Sequence, residues 1–271
     1  MTDLTIASPW KRFWEAGAWW KAVVLAVAYL ALYEGASLLI GVAVGGDIGE
    51  ANSPKYLLLG FLVPIAIGGV ILVVFAASVG WLKDLFGPQP IRGGRWMWIA
   101  VVTVLLFNVL RFASIDYAEA GSTAVALWVV IGLLIGFAEE VLTRGFVIKI
   151  MREAGHREIV VALVSAGLFA LLHSVNLFSG QALLPTLLQI VYTFAFGILM
   201  YLALRVTGNL IWPVLLHATT DPSIFLLGTY PSGSALSIIA NLGNFVVIAV
   251  GFILVFFIRG RVADRDAAEL R

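Results

Sequence analysis

Residues 122–148 read STAVALWVVIGLLIGFAEEVLTRGFVI. A helix needs ~20 mostly apolar residues to cross a bilayer. From Ala124 to Ala138 this stretch carries no charge. Glu139, Glu140 and Arg144 then follow close together, still inside the apolar run. A charge at the centre of a membrane helix costs ~2.5–3.5 kcal/mol on insertion scales. Such groups face the interior of a bundle and mark functional sites. The segment therefore reads as a membrane helix that carries chemistry.

Seven further apolar stretches lie around it, giving candidate spans at roughly 22–44, 56–80, 96–113, 122–148, 158–175, 183–205, 209–220 and 235–258. The expected fold is all-α, a polytopic transmembrane bundle of about eight spans. The seventh span is short and contains Pro213. Asp221 precedes Pro222, and a residue before proline disfavours α geometry. That helix is expected to end at Asp221. Composition agrees with the membrane reading. Of 271 residues, 61% are hydrophobic and 12% charged, against about 25% charged in an ordinary soluble domain. An intrinsically disordered chain is excluded by the same numbers. The net charge of +1 gives no sign of a nucleic-acid partner. The absence of cysteine excludes disulfides, thiol catalysis and thiolate-held zinc, and leaves the redox compartment undetermined.

Orientation follows from Lys and Arg. With eight spans, one side collects Lys11, Arg12, Lys21, Lys83, Arg92, Arg95, Lys149, Arg152, Arg157, Arg205, Arg259, Arg261, Arg265 and Arg271. The other holds Lys55 and Arg111. By the positive-inside rule both termini are expected to be cytoplasmic. Residues 9–21, PWKRFWEAGAWWK, lack the apolar core of a cleavable signal. Their indoles and cations suit the headgroup level. The chain thus divides into an interfacial segment 1–21, an integral membrane domain 22–258 and a cytoplasmic tail 259–271. No fixed-period repeat is evident.

Three clusters of ionisable groups remain in the spans. Glu140 and Arg144 are spaced i, i+4 and share a face. Glu139 points about 100° away in an α-helix. Glu140 therefore has an internal partner and Glu139 has none. An unpaired carboxylate in a bundle suits a general base or a metal ligand, the alternative being a structural ion network. His173 sits in the fifth span, with Phe169 one turn before it; a lone hydrogen-bonded histidine and a packing aromatic are the bland readings. His217 and Asp221 form another i, i+4 pair. A Glu and two His from three helices can activate water directly. They also match the ligand types of a catalytic zinc with one open position. Thr143, Thr219 and Thr220 either line a wet cavity or bond back to their own helices. Gly132, Gly136, Gly145 and Gly167 suit close helix packing. Glu34 and Asn108 are further buried polar groups, with structural pairing the default for Glu34.

In this order the pieces resemble the CAAX protease and bacteriocin-processing family, also called the CPBP or Abi family, whose members are intramembrane endopeptidases. The family pattern is Glu-Glu-x-x-x-Arg, then Phe-x-x-x-His, then His-x-x-x-Asn or Asp. Here these are Glu139, Glu140 and Arg144; Phe169 and His173; His217 and Asp221. The resemblance covers about 120–222. It implies a bundle of about eight spans and hydrolysis of a peptide bond. Glu139 and His173 would hold and deprotonate water. His217, with Asp221, would stabilise the oxyanion. Glu140 with Arg144 would fix the helix and orient Glu139. Glu139, His173 and His217 would be the ligands if zinc takes part; a metal-free glutamate and histidine mechanism is the alternative. The implied substrate is a membrane-associated peptide, either a prenylated CAAX tail or a leader peptide. Compact length and the lack of extra domains, apart from the resemblance, lead to the expectation of a prokaryotic inner membrane, with lipid as the remaining partner. The competing classes are a non-catalytic immunity or binding protein on the same scaffold and a proton-coupled transporter. A transporter would more often show paired repeats with broken helices, and one short span without a counterpart counts against it.

Overall fold

A computed structural model describes residues 8–262. Positions of the tail beyond 262, and the first seven residues, lie outside the described residues. Among the described residues nine helices form: α1 Pro9–Glu15, α2 Trp19–Ala43, α3 Pro54–Val79, α4 Arg95–Phe112, α5 Tyr117–Glu153, α6 Glu158–Leu177, α7 Leu183–Thr207, α8 Ile211–Thr229 and α9 Ala235–Phe257. A further single turn spans Leu82–Leu85. No strand forms among the described residues. Seven helices, α2 to α7 and α9, are long and apolar enough to cross a membrane. The eighth expected span, α8, has 19 residues and is the helix that carries His217 and Asp221. The aligned pattern of buried and lipid-facing residues makes this a membrane bundle whose outer faces are Leu, Val, Ile and Phe.

The expectation that α8 ends at Asp221 is corrected: the helix runs through Pro222 to Thr229. Proline inside a helix removes one N–H and crowds the carbonyl four residues back, which here belongs to Ala218. The neighbourhood accommodates this. Gly132 of α5 abuts the Pro222 ring, and a Cβ there would fall 2.5 Å from the Ala218 carbonyl oxygen. One turn on, a Cβ at Gly136 would fall 2.6 Å from the Val214 carbonyl oxygen. Small residues let membrane helices approach backbone to backbone, and such seams are supported by weak Cα–H···O contacts. The Ser223 hydroxyl donates to the Thr220 carbonyl at 2.7 Å, meeting another acceptor in the perturbed turn. The α5–α8 pair is the most extensive helix contact in the bundle. Gly132, Gly136 and Glu140 are spaced by four, so the seam that brings the helices together also aims Glu140 at α8. Gly145 packs beside Leu85 and Leu210 side chains, whereas Gly167 has open space where a Cβ would go. The packing role expected of Gly167 is therefore not found.

Helix α5 is not a uniform rod. It starts on Asp116, whose carboxylate accepts from the Ala118 and Glu119 amides. It kinks at Gly121, where φ is 72°. Directly after Glu140 it widens into a π-helical segment, Val141–Val147. Insertions of this kind recur at functional sites.

The basic end of the bundle is tied together by Glu158 at the start of α6, which is fully buried. Arg152 grips it with two bonds of 2.9 and 2.7 Å, Arg205 reaches it at 3.1 Å, and the Tyr201 hydroxyl donates at 2.5 Å. Arg152 also donates to Gln89, and Arg205 to the Arg92 carbonyl. The Glu158 amide donates to the Gly260 carbonyl. Several cations counted toward orientation are thus structural ties. Helix α1 lies at this end too. Trp14 is buried against Phe75 and Trp10 donates to Ser78, while Trp19 and Trp20 are exposed. Lys21 donates to the Phe13 carbonyl. Glu34, expected to pair within the bundle, makes no hydrogen bond or ion pair among the described residues.

The glycine seam makes a direct prediction. Gly136→Val should overpack the α5–α8 contact, at a cost of about 1–3 kcal/mol, and lower the melting temperature of the purified protein in detergent. Gly167→Ala should leave it unchanged. Equal melting temperatures for Gly136→Val and wild type would contradict the seam.

Candidate active site

The seam places His217 between carboxylates. Its Nδ1 lies 2.8 Å from Glu140 Oε1, and its Nε2 lies 3.5 Å from Glu139 Oε2 and 3.7 Å from Asp221 Oδ2. Side chains in a helix lean toward its N-terminus, so His217 reaches back along α8 to meet Glu140. Arg144 holds the same Oε1 at 3.0 Å. Its other terminal nitrogen donates to the Gly197 carbonyl of α7 at 3.0 Å, and Nη1 also donates to Thr143 at 2.6 Å. The Glu140 and Arg144 side chains are 0% exposed, whereas Glu139 and Asp221 are 24% and 23% exposed. The two neighbouring carboxylates thus occupy different environments. One is sealed inside an ion network and the other opens outward.

Glu140 with Arg144 forms the expected i, i+4 pair, although the helix between them is π-helical. The pair bears directly on His217 through Glu140. Glu139, read from spacing as unpartnered, has the His217 imidazole beside it. A carboxylate on Nδ1 fixes the ring's orientation and leaves Nε2 as the working nitrogen. That nitrogen faces Glu139 and Asp221, the two partly buried acids.

His173 stands at the end of the α-helical part of α6, where a 3₁₀ turn, His173–Leu177, begins. Its Nδ1 is 2.9 Å from the Phe169 carbonyl oxygen. A carbonyl only accepts, so Nδ1 carries the proton and Nε2 presents a lone pair. Phe169 packs, as expected, and it packs against three of the candidate residues. Its ring meets the His173 ring edge-on at 5.0 Å and the His217 ring at 5.7 Å, and the Arg144 guanidinium lies 4.7 Å from its centroid. Phe196 of α7 closes against His217 at 4.9 Å. Both histidines therefore stand against one aromatic ring.

The zinc reading requires three ligands around one point. Among the described residues no group of three or more His, Cys, Asp or Glu side chains is placed to hold a metal ion. Glu139 and His217 adjoin, and His173 meets the same Phe169 ring as His217; the chemistry below is drawn from side chains alone. Thr143, Thr219 and Thr220 all bond back to their own helices, at 2.5 Å to the Glu139 carbonyl and at 2.8 and 3.0 Å to that of Leu216. A cavity of about 460 Å³ opens at the basic end among Trp81, Lys83, Lys149 and Arg152. Of the candidate site residues, Arg144 alone lines it.

Spacing did not reveal Phe196 or Gly197, which look like ordinary members of an apolar span. Asn108 of α4 was visible as a buried polar group. Its partners emerge only in three dimensions: its amide donates to Thr219 and Thr220 at 2.9 Å each.

Comparison with known families agrees with the resemblance. Residues 121–222 match the family described as Rce1-like, type II CAAX prenyl endopeptidase. The matched segment runs from the Gly121 kink to Pro222 and includes all six candidate residues. No curated protein and no solved structure matched the chain.

The buried network also has a measurable signature. Removing one partner of a buried ion pair costs about 3–5 kcal/mol, because a charge is left uncompensated. Arg144→Met should therefore lower the melting temperature well below that of Glu139→Gln. A loss in Arg144→Met no larger than in Glu139→Gln would show that the pair is not sealed.

Proposed function

We propose that this chain is a CAAX-type intramembrane endopeptidase that hydrolyses a peptide bond of a membrane-associated substrate with a water activated by Glu139 and His173. One observation carries the reading: two adjacent glutamates flank the His217 imidazole, one sealed with Arg144 and the other partly open. A carboxylate that only bound helices together would gain nothing from exposure. Glu139 keeps a partly open side chain for water, and His173, with Nδ1 on the Phe169 carbonyl, would offer Nε2 as a second acceptor.

In the first step the water oxygen attacks the substrate carbonyl carbon, its proton passes to Glu139, and the carbonyl π-electrons move onto oxygen. His217 acts here as the imidazolium: its Nδ1–H donates to Glu140 and its Nε2–H donates to that oxyanion, with Asp221 beside the same nitrogen. In the second step the tetrahedral intermediate collapses, the C–N bond breaks, and the Glu139 proton passes to the leaving amine. This is general acid–base catalysis combined with electrostatic stabilisation. No metal enters these steps, in keeping with the lack of a converging ligand set.

The substrate class follows the family match: a prenylated CAAX tail, with a leader or bacteriocin-type peptide as the second candidate. The basic end of the bundle faces the cytoplasm in this reading, and the setting is a prokaryotic inner membrane.

The test is cleavage by the purified full chain in detergent and in liposomes, using a panel of prenylated CAAX peptides and leader peptides. Loss of a positioned acid–base group costs about 10²–10⁴-fold, so Glu139→Gln and His173→Ala should each fall by at least the lower figure. Activity should survive a strong chelator. Wild-type cleavage abolished by chelator and restored by zinc would overturn the metal-free route. Folded wild type that cleaves no member of the panel would favour a non-catalytic binding or immunity role.

A further inference from the structure

Helix α4 lies outside the segment matched to the family, yet it carries two fully buried polar side chains against the site helix. Asn108 is 1% exposed and Arg111 2% exposed. The Asn108 amide nitrogen donates to Thr219 Oγ1 and Thr220 Oγ1 at 2.9 Å and lies 3.4 Å from the Leu216 carbonyl oxygen. These three acceptors belong to the Leu216–Thr220 turn of α8, which carries His217 and leads into Asp221. Asn108 Oδ1 in turn accepts from Arg111 Nη1 at 3.2 Å and lies 3.5 Å from the Ser223 hydroxyl. Arg111 is anchored on the far side by Asn244 of α9, which accepts from Nη2 at 2.8 Å. No carboxylate lies within ion-pair distance of Arg111 among the described residues, unlike Arg144, Arg152 and Arg205.

A buried guanidinium without a carboxylate is costly in a membrane, and such groups face functional interiors. A purely adhesive contact between α4, α8 and α9 would be better served by small or apolar residues. The placement suggests the reason. Pro222 leaves this turn of α8 short of one backbone N–H, and the glycine seam holds only the α5-facing side. Asn108 meets α8 at the weakened turn from α4, and Arg111 polarises the Asn108 amide and fixes which end of it faces α8.

We propose that Asn108 and Arg111 are positioning residues: they clamp the Leu216–Thr220 turn so that His217 Nε2 and Asp221 keep a fixed register opposite Glu139. The inference rests on the endopeptidase reading for its kinetic consequence, but its structural consequence is independent of that reading.

Two measurements separate the two. The first follows the ring ¹⁵N resonances of the three histidines in the purified, histidine-labelled full chain. Asn108→Leu should shift or broaden the His217 signals and leave those of His156 and His173 in place. An unchanged His217 spectrum overturns the proposal whether or not the protein is a protease. The second is kinetic, on whichever peptide wild type cleaves. A misplacement of ~1 Å costs up to about 10²-fold in rate. Asn108→Leu and Arg111→Met should therefore lower kcat by about 10- to 100-fold, with KM within about threefold of wild type. Arg111→Lys should recover part of the loss. Because Asn108 acts through the threonine hydroxyls, adding Thr219→Val and Thr220→Val to Asn108→Leu should cost little more. Multiplying losses, or a rise in KM at constant kcat, would overturn the clamp. If wild type cleaves nothing while Asn108→Leu moves only His217, the endopeptidase reading fails and the clamp stands.

Discussion

The site depends on one carboxylate oxygen. Glu140 Oε1 accepts from both Arg144 and the His217 ring, from two helices, with no access to solvent. In a low-dielectric interior such a group is strongly stabilised when its partners are in place and heavily penalised when one is missing. The geometry is therefore close to all-or-none. It fixes the face of α5 that meets α8, the orientation of the His217 ring, and the position of the Arg144 guanidinium over Phe169. Gly197 allows this last placement: its carbonyl takes the second arm of Arg144, and a Cβ there would fall 3.0 Å from that same Nη2.

Around that point, polar and apolar packing divide the labour. The Gly132–Gly136 seam supplies close backbone approach, and the ion network supplies direction. Membrane helices gain little from apolar burial against one another, because lipid is equally apolar. Small residues and buried polar groups therefore do the specifying here. The same logic governs the basic end, where Glu158 gathers Arg152, Arg205 and Tyr201. The site network and the end network meet along the last turns of α5, from Arg144 to Arg152.

Much of this was legible in the sequence, for identifiable reasons. Hydropathy marks spans well, because a lipid-facing helix must be apolar over its full length. Glu139, Glu140, Arg144, His173, His217 and Asp221 were visible because ionisable groups in such helices are few. The Glu140–Arg144 pair follows from i, i+4 spacing and was found. What spacing within one helix cannot supply is the partner on another. His217 beside Glu139, Asn108 against Thr219 and Thr220, and Phe169 against His217 are all contacts between helices. The end of α8 was misread for the same reason. Pro222 alone argues for a break, and only Gly132 on a neighbouring helix explains why the helix continues. The zinc reading drew on residue types, which were right for a metal, whereas convergence is a property of three-dimensional placement.

The π-helical segment Val141–Val147 sets a constraint of a different kind. It leaves the two halves of α5 out of phase by about one residue, or roughly 100° of rotation. Upstream, that phase turns Gly132, Gly136 and Glu140 toward α8; downstream, it sets the face that Arg152 presents to Glu158. The two ends are thus registered to each other by a count of residues more than by their identities. Many substitutions within the segment would preserve that count. Loss or gain of a single residue would rotate one network away from its partners while leaving every side chain in the sequence intact. Along this stretch, chain length is itself an inherited feature of the site.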